Sequence, residues 1–416
     1  MLTRIKKFYN EFPHLFWVIV GTLFIDAIGS TLLFPFFALY ITRKFGVGMT
    51  EAGILLGMSS LFGLIGSMIG GALTDRFGRR RLILFGLIFS ALSSLLFGLA
   101  WDVKILYFLV IFVGLLSRIA NPAYDAMLAD IVPEAKRQEA FGITRVAFNY
   151  AWIFGTALGG LIAARSFLAL FLIDAGLSLF VASILFVFLP ETQAAVHREE
   201  KKSESLLKTA SGYGTILRDL GYMSFTIAGM IVLIIYQQQY SSLPVYLQNL
   251  HNIDSRSYGI MLAISGLEVV LFQIWISRVI RKYPPFLMMM LGSLFFMAGF
   301  TMIGIVRSLG FFTLAIIIAT IGEMILFPTT KALAISFARD DMRGRYMAVY
   351  DLSWTLPATV GPAAAGLILD NYNPNLLWYI GGLLCTIAAI GFCYLHLWLG
   401  TQKRFVPAKQ DDPTPS

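Results

Sequence analysis

Four ionisable residues lie deep inside long apolar stretches of the sequence: Asp26, Arg118, Glu268 and Glu323. A charge inside hydrocarbon is costly, so such residues are functional candidates by default. Three acids against one base would leave surplus negative charge in a low dielectric, which favours protonation of at least one carboxyl group. We predict that Glu323, followed by Asp26 and Glu268, exchanges protons. The alternative is that Asp26 or Glu323 only forms an ion pair with Arg118.

A second set of residues offers amide and aromatic surfaces within the apolar stretches. This set comprises Asn149, Trp152, Tyr236, Gln237, Gln238, Tyr240, Tyr350 and Trp354. Consecutive glutamines cannot all face lipid, so at least one should contact a bound molecule or form a hydrogen bond to a neighbouring helix. Aromatic faces can bind an organic cation, although most aromatic residues in a membrane protein face lipid or pack against other helices.

Membrane-spanning helices must position these residues. The chain of 416 residues is 57% apolar and 13% charged, about half the charge of an average soluble protein. Apolar windows of about twenty residues, the length that crosses hydrocarbon, occur twelve times. They lie near residues 16–41, 52–74, 82–100, 104–128, 140–164, 167–189, 221–243, 258–279, 286–306, 311–333, 345–369 and 376–400. We predict an all-α fold with twelve transmembrane helices.

The distribution of positive charge predicts the orientation of these helices. Lys and Arg concentrate in the loops on the side of the amino terminus, which places both termini in the cytoplasm. The first apolar run is too long for a signal peptide. We expect a multi-pass protein of the plasma or inner membrane. Its net charge of +8 follows from this topology, without a nucleic-acid partner.

The sequence contains no pattern typical of an enzyme. The four histidines are scattered, Cys385 and Cys393 lie in one apolar window, and neither a Cys-x-x-Cys pair nor a glycine-rich phosphate loop occurs. We therefore expect no catalytic residues, no cofactor and no metal site.

The chain contains an internal repeat. A polar stretch separates two halves, and an offset of 206 residues aligns Pro122 with Pro328, Arg137 with Arg343 and Gly155 with Gly361. This pattern indicates a duplicated unit of six helices. The predicted domains are a first bundle at 1–190, a cytoplasmic linker at 191–220, a second bundle at 221–402 and a disordered tail at 403–416.

The repeat also relates four charged residues. Asp125 aligns with Lys331, and Arg145 aligns with Asp351, so the two charges are exchanged between the halves. We predict one ion pair in each half, Asp125 with Arg145 and Lys331 with Asp351. The alternative is that each side chain extends independently to the water boundary.

The turn after the second apolar run combines glycines with charges. It contains Gly71, Asp75, Arg76, Gly78 and Arg79. Gly71 allows a neighbouring helix to approach, and Gly78 supplies backbone freedom. The spacing G-x-x-x-D-R-x-G-R-R resembles the loop between helices 2 and 3 of the major facilitator superfamily. The alternative is an ordinary cytoplasmic loop, where arginines accumulate.

Further segments carry the same resemblance. Gly322-Glu323-x-x-x-x-Pro328 is similar to the tenth helix of bacterial multidrug/proton antiporters, in which the carboxylate is a protonation or cationic-substrate site. Asp26-x-x-Gly29 is similar to their first helix. The resemblance implies two pseudo-symmetric six-helix bundles with a substrate site near mid-membrane.

The function expected from this resemblance is proton-coupled efflux of small amphipathic compounds by a monomer in the lipid bilayer. The alternatives are transport of a polar metabolite, such as a sugar or peptide, and a receptor that does not transport.

The charged turn should latch one conformation of such a transporter. We expect Asp75 to meet the start of the eleventh helix near Arg345, and Arg79 to reach Asp130. The Asp75→Asn variant should therefore transport more slowly while it still binds substrate, as measured by uptake and by equilibrium binding. Full transport activity in this variant would contradict the latch.

Overall fold

A computed structural model describes residues 9–190, 213–339, 342–402 and 405, without the side chains at positions 71, 72, 74–76, 135 and 138. The described residues are helical, contain no β-strand and include twelve helices able to cross a membrane. We number these as spans 1 to 12: His14–Phe45, Met49–Gly70, Arg79–Leu99, Val103–Ile131, Glu139–Ala163, Phe167–Phe188, Leu220–Gln239, Ser255–Ile280, Pro285–Ile303, Leu309–Phe337, Arg343–Asn371 and Leu376–Leu399. The predicted all-α class and number of spans are confirmed. Most of the predicted linker and tail lie outside the described residues.

Span 1 and span 7 are each interrupted by a short 3₁₀ turn. In span 1 the helix His14–Leu33 is followed by the turn Phe34–Phe36, which contains Pro35, and then by the helix Phe37–Phe45. In span 7 the helix ends at Tyr236 and the turn Gln237–Gln239 follows. The chain resumes helical structure after both turns. The glutamines predicted to lie within a helix therefore occupy a break in it.

Span 4 is interrupted as well. Its first helix, Val103–Ser117, is separated from Asn121–Ile131 by a turn, and Pro122 lies in the first turn of the second helix. Proline fits that position because the N–H that it lacks has no partner inside the helix there.

The internal repeat is visible in the positions of the helices. Helices begin at Met49, Arg79, Val103 and Arg137 in the first half and at Ser255, Pro285, Leu309 and Arg343 in the second, at the same offset of 206. The short helix Phe37–Phe45 corresponds at both ends to Leu243–His251. Both short helices end in a residue with left-handed backbone, Gly46 with φ 66° and Asn252 with φ 53°. The predicted duplication is confirmed at the level of helix boundaries and caps.

The chain divides into two compact units. Unit 1 comprises Met1–Glu199, Tyr240–Gly266 and Pro362–Leu367, and unit 2 comprises Glu200–Gln239, Leu267–Gly361 and Ile368–Ser416. Unit 1 thus contains the predicted first bundle together with the short helix Leu243–His251 and parts of spans 8 and 11.

Corresponding helices pack together in the two units. In unit 1, span 3 packs against span 6, and in unit 2, span 9 packs against span 12. Both cores contain fully buried aromatic residues, including Phe36, Tyr40 and Phe171 in unit 1 and Phe296, Phe300 and Trp378 in unit 2. A Cβ on Gly299 would lie 2.7 Å from the carbonyl oxygen of Ala315, so spans 9 and 10 pack at a distance that only a small residue permits.

Span 10 continues through Pro328 without a break. Proline has no N–H, so the carbonyl four residues earlier, that of Met324, loses its helical donor. The side-chain amide of Gln273 in span 8 donates to this carbonyl oxygen at 3.1 Å. A neighbouring side chain thus satisfies the backbone group that proline leaves free, as membrane interiors require. Gln273 also donates to the hydroxyl of Ser277 at 3.0 Å.

The Gln273→Leu variant should lose about 1–3 kcal/mol of stability because a buried carbonyl is left without a donor. Pro328→Ala restores the helical N–H, so Gln273→Leu should cost less in that background. The midpoint of thermal unfolding in detergent gives both values. Ser277→Ala is the matched control, since it removes only the second bond. An equal cost of Gln273→Leu in both backgrounds would contradict this account.

Candidate functional site

Two carboxylates lie near each other in unit 2. Glu323 of span 10 is hydrogen-bonded to Tyr236 at the end of the span 7 helix, and it lies within electrostatic range of Glu268 in span 8. One carboxylate oxygen of Glu268 is buried and has no hydrogen-bond partner. The structure therefore brings together two of the predicted proton-exchanging residues, and it leaves one of them able to accept a donor or a cation.

Aromatic rings surround Tyr236. Its ring centroid lies 4.8 Å from that of Phe327, 6.0 Å from that of Phe296 and 6.3 Å from that of Trp354. Phe327 and Trp354 are themselves 4.8 Å apart. We call these four residues the aromatic cluster. Tyr236 and Trp354 were predicted, but Phe327 and Phe296 were not, because 35 phenylalanines give no signal for any single one.

A largely apolar groove adjoins Glu268. It has a volume of about 610 Å³, and its lining includes Glu268, Phe272, Trp275, Phe295, Ile321 and Met324. Among the described residues that line this groove, Glu268 is the only charged one. Small-molecule sites commonly combine an apolar wall with a few polar groups, so this groove can hold an amphipathic molecule with one positive charge.

The remaining predicted acid and base lie in unit 1. Asp26 accepts a hydrogen bond from Ser178 of span 6 at 3.3 Å. Arg118 ends the first helix of span 4, is exposed and lies beside Gly63. Arg118 is not among the hydrogen-bond or ion-pair partners of Asp26 in the described residues. The structure therefore does not contain the alternative ion pair between Asp26 and Arg118.

The other predicted aromatic and amide residues are dispersed. Trp152 and Tyr240 pack edge to face in unit 1 with centroids 5.3 Å apart. Tyr350 is buried in unit 2, and Asn149 is partly exposed. Gln238 is 1% exposed and donates to the carbonyl of Ile234 at 2.7 Å, whereas Gln237 is partly exposed. Gln238 thus binds its own helix, and Gln237 is the more accessible amide of the two.

The charged turn forms one of its predicted contacts. Arg79 forms an ion pair with Asp130 and also donates to the carbonyl of Ala126 at 3.4 Å. Gly78 has φ 86°, which favours glycine as predicted. The surroundings of Gly71 and the side chains of Asp75 and Arg76 lie outside the described part of the structure.

The predicted ion pairs of the repeat are not direct contacts here. Asp125, Arg145, Lys331 and Asp351 are all exposed. Neither predicted pair is among the ion pairs within 4.0 Å that the described residues form. Asp351 nevertheless lies within electrostatic range of Lys331. Exposed side chains can be solvated separately, so nothing forces them together, and their pairing stays a prediction.

The sequence analysis missed one buried acidic residue. Asp174 of span 6 is buried and accepts a hydrogen bond from Ser94 of span 3. The sequence contained a signal, since Asp174 and Ser178 are polar residues four apart in a largely apolar helix, and therefore lie on one face.

Comparisons with known proteins agree with this architecture. The "Na(+), Li(+), K(+)/H(+) antiporter" of Planococcus maritimus is 27% identical, over 93% of this chain and 96% of its own length. The multidrug resistance protein MdtH of Shigella dysenteriae serotype 1 is 23% identical, over 91% of this chain and 92% of its own.

A crystal structure of the nucleoside transporter NupG has the same fold. It matches with a TM-score of 0.81 at 11% identity, over 92% of this chain and 100% of that chain. The sequence profile of the Major Facilitator Superfamily matches residues 19–362 and 240–414. The twelve-span fold, the 206-residue repeat and this match agree: the chain is a multi-pass membrane transporter that belongs to the Major Facilitator Superfamily.

Proposed function

We propose that this transporter exports small amphipathic cations from the cytoplasm across the cell membrane in exchange for protons, by alternating access. The observation that carries the proposal is the unpartnered carboxylate oxygen of Glu268 at the wall of the apolar groove. A lipophilic cation would place its apolar part in the groove and its charge at this oxygen. The expected partners are the substrate, protons and lipid.

Glu323 is positioned to couple proton movement to substrate binding. Its carboxyl group is held by the Tyr236 hydroxyl and lies within electrostatic range of Glu268. Two negative charges this close in an apolar interior are unfavourable unless a proton or a cation compensates one of them. A cation arriving at Glu268 can therefore displace a proton, and a proton arriving from the other side of the membrane can displace the cation.

The aromatic cluster favours an organic cation as the substrate. Tyr236 links Glu323 to Phe327 and Trp354, so aromatic faces lie beside the acidic residue. An organic cation over such a face gains about 0.5–2 kcal/mol. The names of the relatives also support the proposal, since one describes exchange of cations for protons and the other multidrug resistance.

The two acids should be separable by their kinetic effects. Glu323→Gln should abolish accumulation driven by a pH gradient but retain substrate exchange, because the amide cannot carry a proton. Glu268→Gln should weaken binding by about tenfold or more, since a charged hydrogen bond is worth about 1.5–3 kcal/mol. Ethidium uptake into inverted vesicles and ethidium binding to the purified protein measure the two effects.

Glu139→Gln is the control for both variants, because Glu139 is exposed and lies in unit 1. If the Glu323→Gln variant still accumulated ethidium in response to a pH gradient, another residue would have to couple proton movement to transport. Unchanged ethidium affinity in Glu268→Gln would remove the groove from the proposal.

The ion pair between Arg79 and Asp130 should control the rate of the conformational cycle. Both side chains are partly accessible, at 16% and 32%, so the pair contributes at most about 1 kcal/mol to folding. Asp130→Asn should therefore lower the rate of transport at saturating substrate, with little change in substrate affinity or thermal stability. Asp130→Glu, which keeps the charge, is the matched control. An Asp130→Asn variant as fast as the unaltered protein would show that the pair does not control the cycle.

A further inference from the structure

The core of unit 1 contains a second acidic residue beside Asp26. Asp174 is 5% exposed, and its carboxylate accepts a hydrogen bond from Ser94. Asp174 lies against span 1 at Gly29, where a Cβ would overlap a carboxylate oxygen of Asp174. Gly29 is one turn from Asp26 along the same helix. The absence of a side chain at Gly29 therefore makes room for the second carboxylate beside the first.

A serine from the helix that carries Asp174 contacts Asp26. Ser178, one turn from Asp174 in span 6, donates to Asp26 at 3.3 Å, and it lies 3.4 Å from the hydroxyl of Ser90 in span 3. Ser178 has a single hydroxyl proton, so Ser90 is the donor in the second contact. Asp26 and Asp174 also lie within electrostatic range of each other.

A third polar group lies near Asp26 and is an independent sign of a binding site. The hydroxyl oxygen of Tyr124 in span 4 is buried and has no hydrogen-bond partner, and it lies within electrostatic range of Asp26. A buried hydroxyl without a partner costs about 1–3 kcal/mol. Such a group is expected where a ligand or ion completes the arrangement.

The cluster lacks a positive charge. Neither Asp26 nor Asp174 is in an ion pair within 4.0 Å in the described part of the chain. Two ionised carboxylates close together in the apolar interior of unit 1 require a compensating charge. That charge must come from a proton or from an ion that enters from outside the chain.

The available ligands are all oxygen atoms. They come from the carboxylates of Asp26 and Asp174 and from the hydroxyls of Ser94, Ser178 and Tyr124. Oxygen ligands suit hard cations. Ca²⁺ takes six to eight oxygen ligands and Mg²⁺ keeps several waters, whereas only two carboxylates and three hydroxyls are available here. In the described residues no group of three or more His, Cys, Asp or Glu side chains could hold a metal ion. A monovalent ion fits this site better than a divalent one.

We propose that Asp26 and Asp174, with the hydroxyls of Ser94, Ser178 and Tyr124, form a binding site for one dehydrated monovalent cation of the size of Na⁺. Its residues belong to unit 1, whereas Glu268 and Glu323 belong to unit 2. Na⁺ bound there joins spans 1, 3, 4 and 6 and stabilises unit 1.

The test uses the purified full-length protein in detergent at pH 8, with choline chloride replacing NaCl at constant ionic strength. NaCl should raise the midpoint of thermal unfolding in a saturable manner, because a ligand that binds only the folded state stabilises it. Binding of ²²Na⁺ should saturate at about one ion per chain. Both signals should be lost in Asp174→Asn and in Asp26→Asn.

Milder variants cover the case in which the aspartate variants fail to fold. Ser94→Ala and Tyr124→Phe each remove one hydroxyl ligand and should raise the Na⁺ concentration needed for half-saturation by about tenfold. Ser183→Ala is their matched control, since the Ser183 hydroxyl binds the carbonyl of Leu179 within its own helix and should leave that concentration unchanged. Glu323→Gln should keep full Na⁺ binding, which separates this site from the proposed proton coupling.

Three results would overturn the proposal. The first is a melting temperature that depends on pH in choline chloride but not on Na⁺, which would mean that the two acids share only a proton. The second is Na⁺ binding that persists in a folded Asp174→Asn protein. The third is complete displacement of ²²Na⁺ by micromolar Ca²⁺.

Discussion

The energetic cost of carboxylates in an apolar interior is the constraint on which both acidic sites depend. Asp26 with Asp174 in unit 1, and Glu268 with Glu323 in unit 2, each place two acids within electrostatic range. Asp174, Asp26 and Glu323 are hydrogen-bonded to the hydroxyl groups of Ser94, Ser178 and Tyr236, respectively. Hydroxyls orient a carboxylate without neutralising it. Neither pair of acids therefore has a positively charged partner within 4.0 Å among the described residues.

The second constraint is the satisfaction of backbone groups away from water. The two halves of the repeat satisfy these backbone groups in different ways at the equivalent residues Pro122 and Pro328. At Pro122 the chain leaves the helix for a turn and begins a new helix. At Pro328 the helix continues, and Gln273 supplies the missing donor. Duplication thus preserved the positions of the helices while the interactions that hold them diverged.

The sequence was sufficient for the features that depend on long patterns. Twelve apolar windows predicted twelve spans, the 206-residue offset predicted matching helix starts, and the glycine at position 78 predicted a backbone that favours glycine. The contact between Arg79 and Asp130 followed from their places at the ends of neighbouring helices. Each of these features is local, or is repeated along the chain.

Sequence reasoning missed the features that depend on which sides of two helices are in contact. Asp174 was overlooked because its partners, Ser94 and Gly29, lie in other helices. Phe327 was missed because nothing in the sequence distinguishes it from the other phenylalanines. The break at Gln237–Gln239 was read as continuous helix, because the short helix that follows it is also apolar. Asp125 and Arg145 carry opposite charges, but opposite charges alone do not fix the direction in which an exposed side chain extends.

The hydrogen bond from Gln273 to Met324 has a mechanical consequence. Gln273 is little more than one helical turn from Glu268, and Met324 directly follows Glu323, so the bond joins spans 8 and 10 close to both acids. The bond fastens the backbone of span 10 to a side chain of span 8 next to both carboxylates. It therefore opposes separation of the two helix segments that carry them.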